Sequence, residues 1–182
     1  MMISRRREFR NDLFIGVAID CSGSMTYYDN MGLAKRFAAL LAEATRDVDG
    51  IDLKLIGFTH NTIFDVGDNH CNSIHTLHAG GGNNDAAGLW HIAQEALRSK
   101  RKSRLLVMIS DGLPTECSVE SLRTLVQNLT QKFGICCAQL AVEELEEVCF
   151  PNYVLVKSSS EAAAIRKFGA TIAKLIRKTI SG

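Results

Sequence analysis

The stretch Leu13-Phe14-Ile15-Gly16-Val17-Ala18-Ile19-Asp20-Cys21-Ser22-Gly23-Ser24-Met25 limits what this chain can fold into more than any other. An unbroken apolar run, rich in β-branched residues, stops at one carboxylate, two hydroxyls and a glycine. Such a run, bounded by turn residues, reads as a strand buried on both faces, the habit of a parallel sheet covered by helices. The polar residues then fall on a loop at the strand's carboxyl end, where open α/β sheets bind their ligands. Asp20, Ser22 and Ser24 offer only hard oxygens, a donor set suited to a magnesium-like cation. Gly23 is expected to let the loop turn tightly enough for both hydroxyls to converge.

Strand and helix signals alternate along the rest of the chain. Leu33, Phe37, Leu40, Leu41, Ala44 and Val48 recur at helical spacing, which predicts a helix over 31–48. A second strand is expected over 51–59 and a short third over 62–66, joined through His60-Asn61 as an antiparallel hairpin. Residues 67–82 read as loop, and 85–99 as a helix. Residues 105–110 form a fully apolar strand. Ser118 is placed to cap a helix burying Val119, Leu122, Leu125, Val126 and Leu129. Strands follow over 135–142 and 153–156, with a solvated helical turn expected over 143–147. The last helix opens with Ser158-Ser159-Ser160-Glu161, a capping-box pattern if Ser158 is the cap. Its apolar stripe, Ile165, Phe168, Ile172, Leu175 and Ile176, suits docking on the sheet rather than on a membrane. The fold class is therefore α/β: a Rossmann-like doubly wound sheet, mostly parallel, with one short antiparallel edge strand and helices on both faces.

Composition narrows the setting. A chain of 182 residues suits one domain, expected over 12–182 behind an Arg-rich arm at 1–11. The formal net charge of +1 supplies no global field for nucleic acid or membrane. The six cysteines make no C-x-x-C pair, so they read as reduced intracellular thiols rather than a disulfide framework. No apolar segment follows Arg5-Arg6-Arg7 in the manner of a signal peptide, and Leu13 to Ile19 is too short to span a bilayer. The expected location is cytoplasmic.

Two later segments echo the opening one. Ile109-Ser110-Asp111-Gly112 again closes an apolar strand on an aspartate. Gly80-Gly81-Gly82-Asn83-Asn84-Asp85-Ala86-Ala87-Gly88-Leu89 is a loop that opens a helix. In this order the three segments resemble the von Willebrand factor A domain and its metal-ion-dependent adhesion site. The resemblance spans roughly residues 12 to 180, and the three-part order is more specific than any one part.

In that family the second segment carries a threonine, and Asn83 stands at its position here. An asparagine or aspartate version of this loop is similar to the A domain of the cobalt chelatase subunit. The resemblance implies a magnesium or manganese ion held by Asp20, Ser22, Ser24, Asn83, Asp85 and Asp111. It also implies a protein partner whose glutamate or aspartate completes the coordination, with an AAA+ ATPase as one candidate. Asp85 has two readings: a helix N-cap, which is favoured, or a third carboxylate at the ion, directly or through water.

Other chemistries fit less well. A magnesium-dependent phosphohydrolase of the haloacid dehalogenase type also places an aspartate at the end of its first strand. It requires a second acid two residues on, where this chain has Ser22. His70-Cys71, His75 and His78 suggest zinc, but their spacing matches no zinc module and reads as a polar loop. The glycine run lacks the G-K-[ST] of a phosphate loop. No catalytic triad can be assembled from sequence order, so the expectation is a binding module, not an enzyme.

Overall fold

The computed structural model describes residues 11–182; the arm expected over 1–11 lies outside the described residues except for Asn11. The chain runs β1 (Leu13–Asp20), α1 (Asn30–Thr45), β2 (Ile51–Phe58), β3 (Ile63–Asp68), α2 (Asp85–Arg98), β4 (Ser103–Ser110), α3 (Val119–Phe133), β5 (Cys136–Ala141), β6 (Asn152–Leu155) and α4 (Glu161–Ser181). Short 3-10 segments cover Gly23–Asp29 and Ile74–Thr76. The strands form one sheet in the order β3-β2-β1-β4-β5-β6. Every neighbouring pair is parallel except β2 and β3. This is the doubly wound α/β sheet with an antiparallel edge that the hydrophobic pattern predicts.

β1 lies between β2 and β4, and all eight of its residues are buried. Alternation along the strand sends its side chains to opposite faces. Leu13, Ile15, Val17 and Ile19 pack with Phe37 and Leu41 of α1 and Phe168, Ile172 and Leu175 of α4. Phe14 and Ala18 pack with Leu89 and Ile92 of α2 and Leu122, Val126 and Leu129 of α3. Phe37 and Phe168 stack with ring centroids 4.4 Å apart, joining α1 to α4. Gly88 brings α2 close to the sheet: a Cβ there would lie 2.6 Å from the Phe58 ring.

The order of the strands fixes where a ligand can bind. From β1 the chain winds outward to β2 and β3, then returns to β4 on the other side of β1. The carboxyl ends of β1 and β4 therefore flank the switch point, where the loops diverge and leave a crevice. Asp20 ends β1, and Asp111 follows directly on β4.

Several local expectations are corrected. α1 stops at Thr45, and Leu40, Ala44 and Val48 face solvent while Ala34, Ala38 and Ala42 take the inner stripe. Small alanines let the helix lie close to the sheet, which a pattern of large residues does not reveal. Residues 143–147 form no helical turn; Leu145, Cys149 and Phe150 anchor an irregular segment instead. The cap of α4 is Ser160, whose hydroxyl accepts from the Ala163 N–H at 3.2 Å, rather than Ser158. Ser118 does cap α3, accepting from the Ser121 N–H at 3.0 Å. Among the described residues no helix is long and apolar enough to cross a membrane.

Candidate metal centre

Three loops meet at the switch crevice. The first leaves β1 at Asp20, whose Oδ1 accepts from the Ser22 N–H at 2.7 Å and turns the chain back over the strand end. The Ser22 and Ser24 hydroxyls lie 3.0 Å apart. Ser24 Oγ donates to Asp111 Oδ1 at 2.8 Å, tying the β1 loop to the end of β4. Asn30, at the start of α1, reaches Asp111 Oδ2 at 3.5 Å. Ser22 is buried and Ser24 exposed, so the hydroxyl pair runs from the interior to the open side.

The glycine loop forms the second wall. Gly23 N–H donates to the Gly81 carbonyl and Gly80 N–H to the Cys21 carbonyl, each at 2.8 Å. Gly81 holds φ at +78°, the left-handed region that glycine adopts without strain. Gly23 behaves otherwise than expected: it keeps an ordinary φ, and an added Cβ would only touch the Gly81 carbonyl at 3.5 Å. The first bend is made by the Asp20 carboxylate, and the glycine it needs lies in the facing loop.

Asn83 and Asp85 sit at the base of this wall, both buried. Asp85 does not cap α2. Asn84 is the cap, its side-chain oxygen accepting from the Ala87 N–H at 3.0 Å. Asp85 is the first residue of the helix and turns inward. Its Oδ1 accepts from Asn83 Nδ2 at 2.9 Å, while its buried Oδ2 has no hydrogen-bond partner among the described residues. The same Asn83 nitrogen lies 3.4 Å from Asp20 Oδ2 and 3.3 Å from the Leu113 carbonyl.

Asn83, expected among the residues holding the ion, thus shows nitrogen, not oxygen, to the acids, and a hard cation takes oxygen ligands. Its Oδ1 accepts from the Thr115 N–H and from the Thr115 hydroxyl, each at 3.0 Å. A backbone N–H can only donate, so the atom facing it must be the amide oxygen.

The electrostatics follow from burial. Desolvation pushes the Asp20 carboxyl up to about 6; bonds from Ser22 and Asn83 oppose the rise, and the charge of Asp111 adds to it. Asp85 is pushed up to about 8, by burial first and then by the charge of Asp20, with Asn83 opposing. Both acids resist ionisation because burial strips their water and each feels the negative charge of a neighbouring acid. Among the described residues, none of the nine ion pairs includes Asp20, Asp85 or Asp111.

Sequence position alone brings Asp20, Ser22, Ser24 and Asp111 to this crevice, and Asn83 and Asp85 join them. It does not reveal Asn84, Asn30 or Thr115. Asn84 carries the ordinary cap signal, one place before a residue with the same signal. Among the described residues no three His, Cys, Asp or Glu side chains form a metal-holding group by themselves. Any ion here would need the serine hydroxyls to complete its shell.

No family model and no curated protein matches the chain. Solved structures do. The PilB minor pilin from Streptococcus sanguinis is similar over 96% of this chain, with a TM-score of 0.69 and 11% identity. A von Willebrand factor type A protein from Catenulispora acidiphila is similar over 91%, with a TM-score of 0.69 and 18% identity. The chain spans 64% of the first and 43% of the second. The SpRpn10 VWA domain is similar over 84% of this chain and 93% of its own length, with a TM-score of 0.64 and 15% identity. The sheet order and these likenesses define an α/β fold of the von Willebrand factor A class.

Proposed function

We propose that this domain is a metal-dependent protein-interaction module. Asp20, Ser22, Ser24, Asp85 and Asp111 would hold a magnesium or manganese ion, and a partner's glutamate or aspartate would complete the shell. The observation that carries this reading is the free Oδ2 of Asp85, fully buried beside Asp20, with neither acid in an ion pair among the described residues. A buried polar atom without a partner is costly, and an oxygen-lined crevice at a switch point suits a hard cation. The ion would supply positive charge to capture a carboxylate.

The chain's own residues set the terms of that capture. Ser22 and Ser24 are neutral donors, so they leave the charge of an ion undiminished. The Asp20 carboxylate is engaged by the Ser22 N–H, and Asp111 by Ser24, which keeps both acids oriented toward the crevice. Asp85 adds a third acid, so the ion must be firmly held before the site attracts an anionic partner. The likeness of the glycine loop to the cobalt chelatase A domain makes an AAA+ ATPase the partner to test first.

The test is capture of such a partner with magnesium or with chelator. Binding should fall by a hundredfold or more in chelator and in Asp20→Ala, because a buried carboxylate without its cation is strongly unfavourable. Equal binding in all conditions would mean that the crevice is not the contact surface.

A further inference from the structure

Asn83 is held by a residue that lies outside all three loop motifs. Thr115 stands between β4 and α3, far along the chain from Asn83, yet it meets that one residue through several contacts. Its hydroxyl accepts from the Asn83 backbone N–H at 3.0 Å and donates to Asn83 Oδ1 at 3.0 Å. Its own N–H donates to Oδ1 at 3.0 Å and lies 3.2 Å from the Asn83 carbonyl. The Glu116 N–H adds a bond to that carbonyl at 3.1 Å. Every donor and acceptor of Asn83 that does not face the acids is thereby taken.

The consequence is directional. A carboxamide can be turned over at little cost in shape, and then its oxygen would face Asp20 and Asp85. Against ionised carboxylates, the form in which both acids would meet an ion, that oxygen is repelled, and the Leu113 carbonyl would lose its donor as well. With the oxygen clamped, only nitrogen can point inward, and it draws the two carboxyl groups toward one atom.

We propose that Thr115 is a positioning residue of the metal centre: it locks the Asn83 carboxamide so that its nitrogen orients Asp20 and Asp85. The proposal rests on the metal reading for its role toward an ion, but not for the lock itself. Thr115 is exposed apart from these contacts, so changing it leaves the core untouched.

The experiment compares Thr115→Val, which keeps the shape and the backbone N–H bond to Oδ1 but removes the hydroxyl that bonds both Oδ1 and the Asn83 N–H, with Thr115→Ser, which keeps the hydroxyl. In chelator, the side-chain amide protons of Asn83, assigned by its absence in Asn83→Asp, should exchange slowly in wild type and Thr115→Ser. They should exchange at least tenfold faster in Thr115→Val. Calorimetric titration with Mn2+ should show affinity weakened about tenfold in Thr115→Val, the size of effect seen when a group orienting a ligand is lost. Thr115→Ser should stay within about twofold of wild type, since it retains the orienting hydroxyl. Slow exchange together with unchanged affinity in Thr115→Val would overturn the proposal, as would equal weakening of both variants. A wild type that takes up no Mn2+ would sink the metal reading and Thr115's role toward an ion, while the exchange measurement would still decide the lock.

Discussion

The two ends of the central strands treat their acids in opposite ways. At the amino end, Asp52 of β2 receives Arg101 in a fork, Nε to Oδ2 and Nη2 to Oδ1, both at 2.8 Å. Asp12 accepts from the Lys102 N–H at 3.2 Å, and Glu95 pairs with Arg98 at 3.0 Å. At the carboxyl end, Asp20 and Asp85 are fully buried, and neither they nor Asp111 meets a cation among the described residues. A cavity of about 580 Å³ lies at the amino end, lined by Asp12, Phe14, Asp52 and Arg101. Acids at the amino end meet donors in solvent; the buried acids of the carboxyl end are the feature on which the proposed ion site rests.

The effect that separates the ends most directly is metal stabilisation. A ligand at a hundred times its dissociation constant adds about 2.7 kcal/mol, roughly 5–10 °C in a domain of this size. Magnesium or manganese should raise the melting temperature of wild type and of Arg101→Ala by that amount. Asp20→Ala, with its fold verified by circular dichroism, should show no rise. An equal rise in all three proteins would place the ion elsewhere.

A second effect concerns pH, and it belongs to the carboxyl end alone. In chelator, folded Asp20 and Asp85 hold their protons to about 6 and about 8, whereas both ordinarily titrate at 3.8. The folded state thus binds more protons across this window. Stability is at its fullest below the ordinary value and falls as pH rises through the folded ones. Urea denaturation in chelator should show this decline, and Asp85→Asn should flatten its upper part. Stability that stays level or climbs between pH 5 and pH 8.5, as a solution range, would contradict the buried-acid picture.

The smallest effect belongs to the amino end. Arg101 and Asp52 keep 31% and 52% of their side-chain surface exposed, so solvent and salt screen their pairing. Arg101→Ala should lower stability by less than about 1 kcal/mol, with no change in metal response. A loss of several kcal/mol would mean that the amino end is not the solvent-screened surface described above.

What the sequence made legible was local, and what escaped it was relational. A buried run ending in Asp20, Ser22 and Ser24 announces a strand and its loop in one glance, and Asp111 repeats the signal at β4. The helix caps shift by a residue or two because neighbours carry equal propensity: Asn84 beside Asp85, Ser160 beside Ser158. Which of them caps is decided by where the helix lands on the sheet. The orientation of Asn83 is set by Thr115, a residue with no local signal, brought near only by the winding of β4 beside β1. Part of the inner face of α1, beside Phe37 and Leu41, is written in alanines, which periodicity of large residues overlooks.

The central claim is that the carboxyl end binds the ion and the amino end does not. Crystals soaked in Mn2+ and measured for its anomalous scattering test this most directly. The account predicts one peak in the crevice between Ser22, Ser24, Asp20, Asp85 and Asp111, lost in Asp20→Ala. A peak beside Asp12 and Asp52, or no peak in wild type at saturating Mn2+, would contradict it.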